Sequence, residues 1–190
     1  VTTFLHEFGH GLHGLLSNVT YESISGTSVP RDFVELPSQI MENWATDPEF
    51  LKMFAYHYKT KKLIPQELIQ KLKDVDNYLA GYSFCRQLSF GYLDMMWHTT
   101  LPEQIIDVLE MERKATSNME LFPIVDGTCM STSFSHIFAG GYAAGYYGYK
   151  WAEVLDADAY AYFQEKGVYN KEVADSFVEN ILSKGGSKKA

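Results

Sequence analysis

The chain has 190 residues, with 16 Lys and Arg against 24 Asp and Glu, for a net charge of −8. Apolar residues make up 46% and charged residues 21%, a globular rather than a disordered balance. Strong acidity without a basic cluster beyond Lys59–Lys62 argues against nucleic acid as a partner. No apolar run approaches the roughly 18 residues of a membrane span, so a membrane is not expected either. The two cysteines, Cys85 and Cys129, make no disulfide framework, and a reduced, cytoplasm-like compartment is the default.

In chain order, Phe4, Leu5, Phe8, Leu12, Leu15 and Leu16 recur at helical spacing, which predicts a helix over about 2–16. Residues 17–31 are rich in Ser, Thr, Gly and Val and read as a loop with a short strand near Tyr21–Ile24. A helix over about 32–44 follows, and Pro48 opens the next. Pro65 opens a long helix whose apolar face runs from Leu68 to Tyr92, and Pro102 opens another reaching about Ala115. Residues 116–148 hold Pro123 and five glycines, the mark of a long ordered loop. Helices over about 149–165 and 171–183 close the chain, separated by Gly167 and capped by Asn170. The fold class is mainly α, one domain over 1–190, with at most a short β segment.

Val1 is not Met, and a metal-ligand pattern begins five residues later, so the chain is expected to be a piece of a larger protein. The opposite end, Ser183–Ala190, is polar and reads as lacking a closing element.

His6-Glu7-Phe8-Gly9-His10 has the form HExxH. Four residues at 3.6 per turn separate the imidazoles by only about 40°, so both leave one helix face. They can then share one Zn²⁺ at about 2.0–2.1 Å. Glu7 stands beside the first imidazole and suits a general base. A catalytic zinc needs a third protein ligand and an open position. His13 lies about 10.5 Å along the axis from His6, too far to complete a tetrahedron, and is expected to pack or hydrogen-bond nearby. Glu35 and Glu42, seven apart on the next helix, are the candidates for the third ligand. Asp32-x-x-Glu35 also has the form of a capping box, and Glu42 reads either as a partner that orients a ligand imidazole or, by default, as a surface charge.

Residues 134–151 combine glycines with His136, Tyr142, Tyr146 and Tyr149. Glycine lets backbone approach a ligand, and these side chains could donate hydrogen bonds to a developing oxyanion. Tyr147 and Trp151 read instead as core.

The segments His6–His10, Phe33-Val34-Glu35-x-Pro37-Ser38-Gln39 with Glu42-Asn43-Trp44, and Phe134-x-His136 through Trp151 together resemble the M3 family of zinc peptidases. The resemblance covers nearly the whole chain. It implies a zincin-like helical catalytic domain, with His6, His10 and Glu35 as ligands of one Zn²⁺ and Glu7 as general base. It further implies Tyr149 as oxyanion donor, supported by His136, with His136, Tyr142 and Tyr146 as substrate contacts. The M3 enzymes are longer, so the resemblance implies a missing N-terminal portion as partner, forming a channel that admits short oligopeptides. Within the family, Ile137–Tyr147 resembles the peptidyl-dipeptidase branch, which releases C-terminal dipeptides; the alternative is an internally cleaving oligopeptidase. A catalytically inactive peptide-binding module is the reading from another class, and the presence of Glu7 speaks against it.

Overall fold

The structure is a computed structural model that describes residues 1–105 and 107–188. Its helices are α1 (Thr2–Leu16), α2 (Leu36–Glu42), α3 (Pro48–Phe54), α4 (Gln66–Asp76), α5 (Ala80–Thr99), α6 (Val108–Thr116), α7 (Gly148–Lys166) and α8 (Lys171–Asn180). Short 3₁₀ turns lie between them, and the only β feature among the described residues is a bridge between Tyr56 and Leu63. The mainly α expectation holds. No described helix is long and apolar enough to cross a membrane.

The chain falls into two compact units, Val1–Tyr78 with Trp151–Ala190, and Leu79–Lys150. In the first, α1 packs against α2, and this pairing builds the site. A core of Ile40, Phe163 and Val173 is flanked by Met41, Trp44, Tyr160 and Phe177. Asp47 caps α3 by accepting the Phe50 amide at 2.9 Å, and Pro48 takes the first helical position, where its missing N–H costs nothing. Asn170 caps α8 by accepting the amides of Glu172 and Val173, just after Gly167 at φ 104°. The second unit centres on Leu93, Ala115, Ile137 and Tyr146, with Phe90, Trp97 and Phe134 around them.

Several boundaries differ from the sequence reading. Tyr21–Ile24 holds a 3₁₀ turn over Glu22–Ile24 rather than a strand; its aromatic and β-branched residues have no strand to pair with among the described residues. The helix expected over 32–44 shrinks to α2, because the amides of Phe33 and Val34 both fold back onto Pro30 O as a turn. The helix opened by Pro65 breaks between Asp76 and Ala80, where Leu79 takes a left-handed φ of 53°. Pro102 opens only a 3₁₀ turn over Pro102–Gln104, and α6 starts afresh at Val108, capped by Asp107; Ile106 between them lies outside the described residues. The helix predicted over 171–183 ends at Asn180, since Ile181 turns off the helical path at φ −115°, ψ −72°. Leu182–Ser187 is no loose end: it forms a 3₁₀ turn with Leu182 and Gly185 buried, and Ser183 O accepts the Asn18 amide at 2.8 Å. The long loop between α6 and α7 is ordered as expected, with one 3₁₀ turn at Ser135–Ile137.

Candidate metal centre

The site begins with a missing side chain. A Cβ on Gly9 would stand 2.2 Å from the carbonyl oxygen of Pro37 and 2.6 Å from Cα of Ser38. The glycine inside HEFGH therefore lets the backbones of α1 and α2 touch. That close crossing brings the start of α2 under the imidazoles of α1.

Glu35, at the N-terminal edge of α2, is 1% exposed, and its carboxylate does not cap the helix. It turns toward α1 instead. Oε2 lies 3.3 Å from His6 Nε2 and 3.2 Å from His10 Nε2, and it accepts the Ser38 hydroxyl at 2.9 Å. The two rings meet edge to face with centroids 5.0 Å apart. One ligand atom from each of His6, His10 and Glu35 fits within 4.8 Å of the others, the one such metal-capable group among the described residues.

Glu42 is not a mere surface charge. Its Oε1 is 2.6 Å from His6 Nδ1, so two carboxylates seven residues apart grip the same ring from its two nitrogens. Hydrogen bonds that the His6 ring donates to Glu35 first, then to Glu42, push its pKa up to about 10 against the desolvation that opposes them. This carboxylate–imidazole pairing is the arrangement that orients a metal-binding histidine. Asn43, next along, donates to Ile40 O at 3.1 Å and to Asp156 Oδ1 at 2.7 Å, tying the end of α2 to α7. Burial first, relieved in part by Asn43 and aggravated by Glu42 and Glu153, pushes Asp156 up to about 6.

His13 is fully buried, and neither ring nitrogen has a hydrogen-bond partner among the described residues. Burial and the nearby His10 lower its pKa, which favours the neutral ring. Glu7 is exposed on α1 beside His6.

In the second unit, His136, Tyr142, Tyr146 and Tyr149 form one aromatic group. Tyr142 stacks on Tyr149 at 4.9 Å between centroids, Tyr146 meets Tyr149 at 5.0 Å, and His136 lies 6.1 Å from Tyr142. Tyr146 is buried, its hydroxyl donates to Gln87 Oε1 at 3.1 Å, and burial pushes its pKa up to about 12. Gly140 is required by contact: a Cβ there would sit 2.8 Å from His136 Cα. Tyr147 and Trp151, expected in a core, are each 49% exposed.

The donor set suits a metal of borderline softness: two imidazoles and one carboxylate leave a fourth tetrahedral position open. A family model, that of peptidase family M3, matches residues 1–190. The chain belongs to peptidase family M3. It is 47% identical over 189 residues to oligopeptidase A of Escherichia coli strain K12, covering 98% of this chain and 28% of that protein. It is 44% identical over 190 residues to the dipeptidyl carboxypeptidase of the same strain, again covering 98% of this chain and 28% of that protein. The organellar oligopeptidase A of Arabidopsis thaliana is 41% identical over 197 residues, covering 99% of this chain and 24% of that protein. The chain thus spans about a quarter of the length of these relatives.

Gly9 and Ser38 were not anticipated from the sequence, and the grip of Glu42 on His6 realises the alternative to its default reading as a surface charge. The available signals were a glycine inside HExxH and an acid two helical turns beyond Glu35.

Proposed function

We propose that residues 1–190 are the catalytic portion of a larger zinc peptidase that hydrolyses peptide bonds in short oligopeptides. The observation that carries this reading is the convergence of His6 Nε2 and His10 Nε2 on the buried Glu35 carboxylate, with Glu7 next to His6 on the same helix. His6, His10 and Glu35 would hold Zn²⁺. Bound there, the ion supplies Lewis acidity toward a scissile carbonyl and toward water.

The remaining chemistry belongs to the chain. Glu7 takes a proton from the attacking water and later delivers one to the leaving amine. Tyr149, supported by His136, donates to the carbonyl oxygen as negative charge develops on it, an interaction that acts mainly in the transition state. Tyr142 and Tyr146 contact substrate, Tyr146 chiefly through its ring because its hydroxyl is given to Gln87. Glu42 keeps the His6 Nε2 lone pair aimed by holding Nδ1.

The cleavage mode we favour is release of C-terminal dipeptides, from the likeness of Ile137–Tyr147 to the peptidyl-dipeptidase branch. Internal cleavage is the competing mode, and relatives bearing both kinds of name have similar identity to this chain. Mass analysis of products from a free peptide and its C-terminally amidated twin separates them. Loss of cleavage on amidation, with only dipeptides released from the free form, supports the first mode; internal fragments from both overturn it. For the chemistry itself, Glu7→Gln in the full-length protein should retain bound zinc and lose turnover. Metal loss in that variant would make Glu7 a structural member of the site instead.

A further inference from the structure

In the second unit, Asp94 on α5 is completely buried and far in sequence from the tyrosines, yet it ends on their loop. Oδ1 accepts the Ala144 amide at 2.8 Å, and Oδ2 accepts the Tyr146 amide at 2.9 Å. His98, one turn along α5, places Nδ1 2.8 Å from Oδ1. The amide between these two, on Gly145, goes to Tyr142 O at 2.9 Å. Three successive amides are thus committed, two of them to one buried carboxylate.

The loop needs this support. Ala144 sits at φ 52°, a left-handed conformation that residues with a Cβ avoid. Nothing in the alanine side chain favours it, and Ala144 is exposed, so packing does not impose it. A strained backbone persists where its surroundings over-determine it. Here the surroundings are the Asp94 oxygens. The same turn leads directly into Tyr146 and Tyr149, and it follows Tyr142, whose ring lies on that of Tyr149.

We propose that Asp94 is a positioning residue, whose buried carboxylate holds the 142–146 turn in its left-handed form and so sets the aim of Tyr142 and Tyr149. What those tyrosines do rests on the proposed peptidase reading; that Asp94 aims them does not.

The test is made in the full-length protein with Asp94→Asn, which keeps the shape and replaces one acceptor oxygen with an N–H₂ group. Hydrogen exchange should speed up at least about tenfold in residues 142–146, while α1 and the rest of α5 keep their protection. With a short peptide substrate, kcat should fall at least about tenfold with KM within about threefold, and zinc content should not change. Ala144→Val is the second variant. It leaves the carboxylate untouched and adds a β-branched, solvent-facing side chain that excludes the left-handed conformation. It should give the same local exchange and the same split between kcat and KM, and it decides the matter if Asp94→Asn loosens α5 as a whole. Unchanged exchange in the 142–146 segment, or faster exchange with both kcat and KM unaltered, would overturn the proposal. If the unaltered protein cleaves no peptide, the peptidase reading fails, and exchange alone then decides whether Asp94 holds the turn.

Discussion

At Gly9 a single methyl group is decisive. The 2.2 Å between its virtual Cβ and Pro37 O is far inside contact distance, and the obstacle is backbone, which cannot swing aside. To restore ordinary contact, α1 and α2 must separate by roughly 1 Å. Misplacement of that size costs on the order of 100-fold in turnover. Gly9→Ala should therefore lower both zinc retention and the midpoint of thermal unfolding; a variant with native metal content and activity would mean that the helices can part without moving the ligands. Glu42→Gln tests the other grip on the site. It removes the carboxylate from His6 Nδ1 and should weaken zinc binding about 10- to 100-fold, measured by competition with a chelator of known affinity. An unchanged affinity would return Glu42 to the surface charge that its sequence position suggested.

At the scale of elements, the second unit holds a loop by a buried acid. Glu112 on α6 accepts the amides of Met130 and Ser131, at 2.9 and 2.7 Å, and the Ser131 hydroxyl at 2.7 Å. Burial alone would raise its pKa, but Ser131, Met130 and Cys129 together outweigh it and bring Glu112 below the ordinary 4.5. A carboxyl with a depressed folded pKa contributes stability that is present above its unfolded pKa and lost as pH falls through the folded one. Glu112→Gln should thus cost about 1.5–3 kcal/mol at pH 7, and the gap to the unaltered protein should narrow as pH drops below the ordinary value. Denaturant unfolding at pH 7 and pH 4 checks it; an equal gap at both would show that shape rather than charge holds the loop. Legibility followed the same division between local and distant causes. Pro48, Asn170 and Gly167 announced helix ends because their effect is on their own backbone. The left-handed Leu79 that interrupts the helix after Pro65 carries no such mark. HExxH was legible because helical spacing alone puts both imidazoles on one face, whereas geometry left Glu35 and Glu42 open, and only the family resemblance chose between them. Asp94 was illegible: its contacts with the tyrosine loop span 50 and 52 residues, and no local pattern encodes them.

At the scale of the whole molecule, apolar surface is the dominant fact. On α1, Phe4 is 69% and Leu15 78% exposed, and in the second unit Phe122 is 65% and Val125 71% exposed. Single exposed apolar residues are ordinary, but this many large ones on a 190-residue chain favour association of the chain on its own. The relatives supply a scale, since the chain matches only 28% of the length of oligopeptidase A. The three candidate ligands lie on α1 and at the edge of α2, two helices that pack directly against one another, so metal capture asks for little beyond them. Turnover asks for substrate to be held against metal, base and oxyanion donors together. The 190-residue chain by itself should therefore bind zinc, self-associate through its apolar faces, and cleave a short peptide little if at all. The same residues grafted in place of their counterparts in the E. coli oligopeptidase A should be monodisperse and cleave it in a chelator-sensitive way. Light scattering and peptide turnover, measured on both with zinc present, decide the matter. Comparable turnover by the isolated chain would show that these residues need nothing further to assemble a working site.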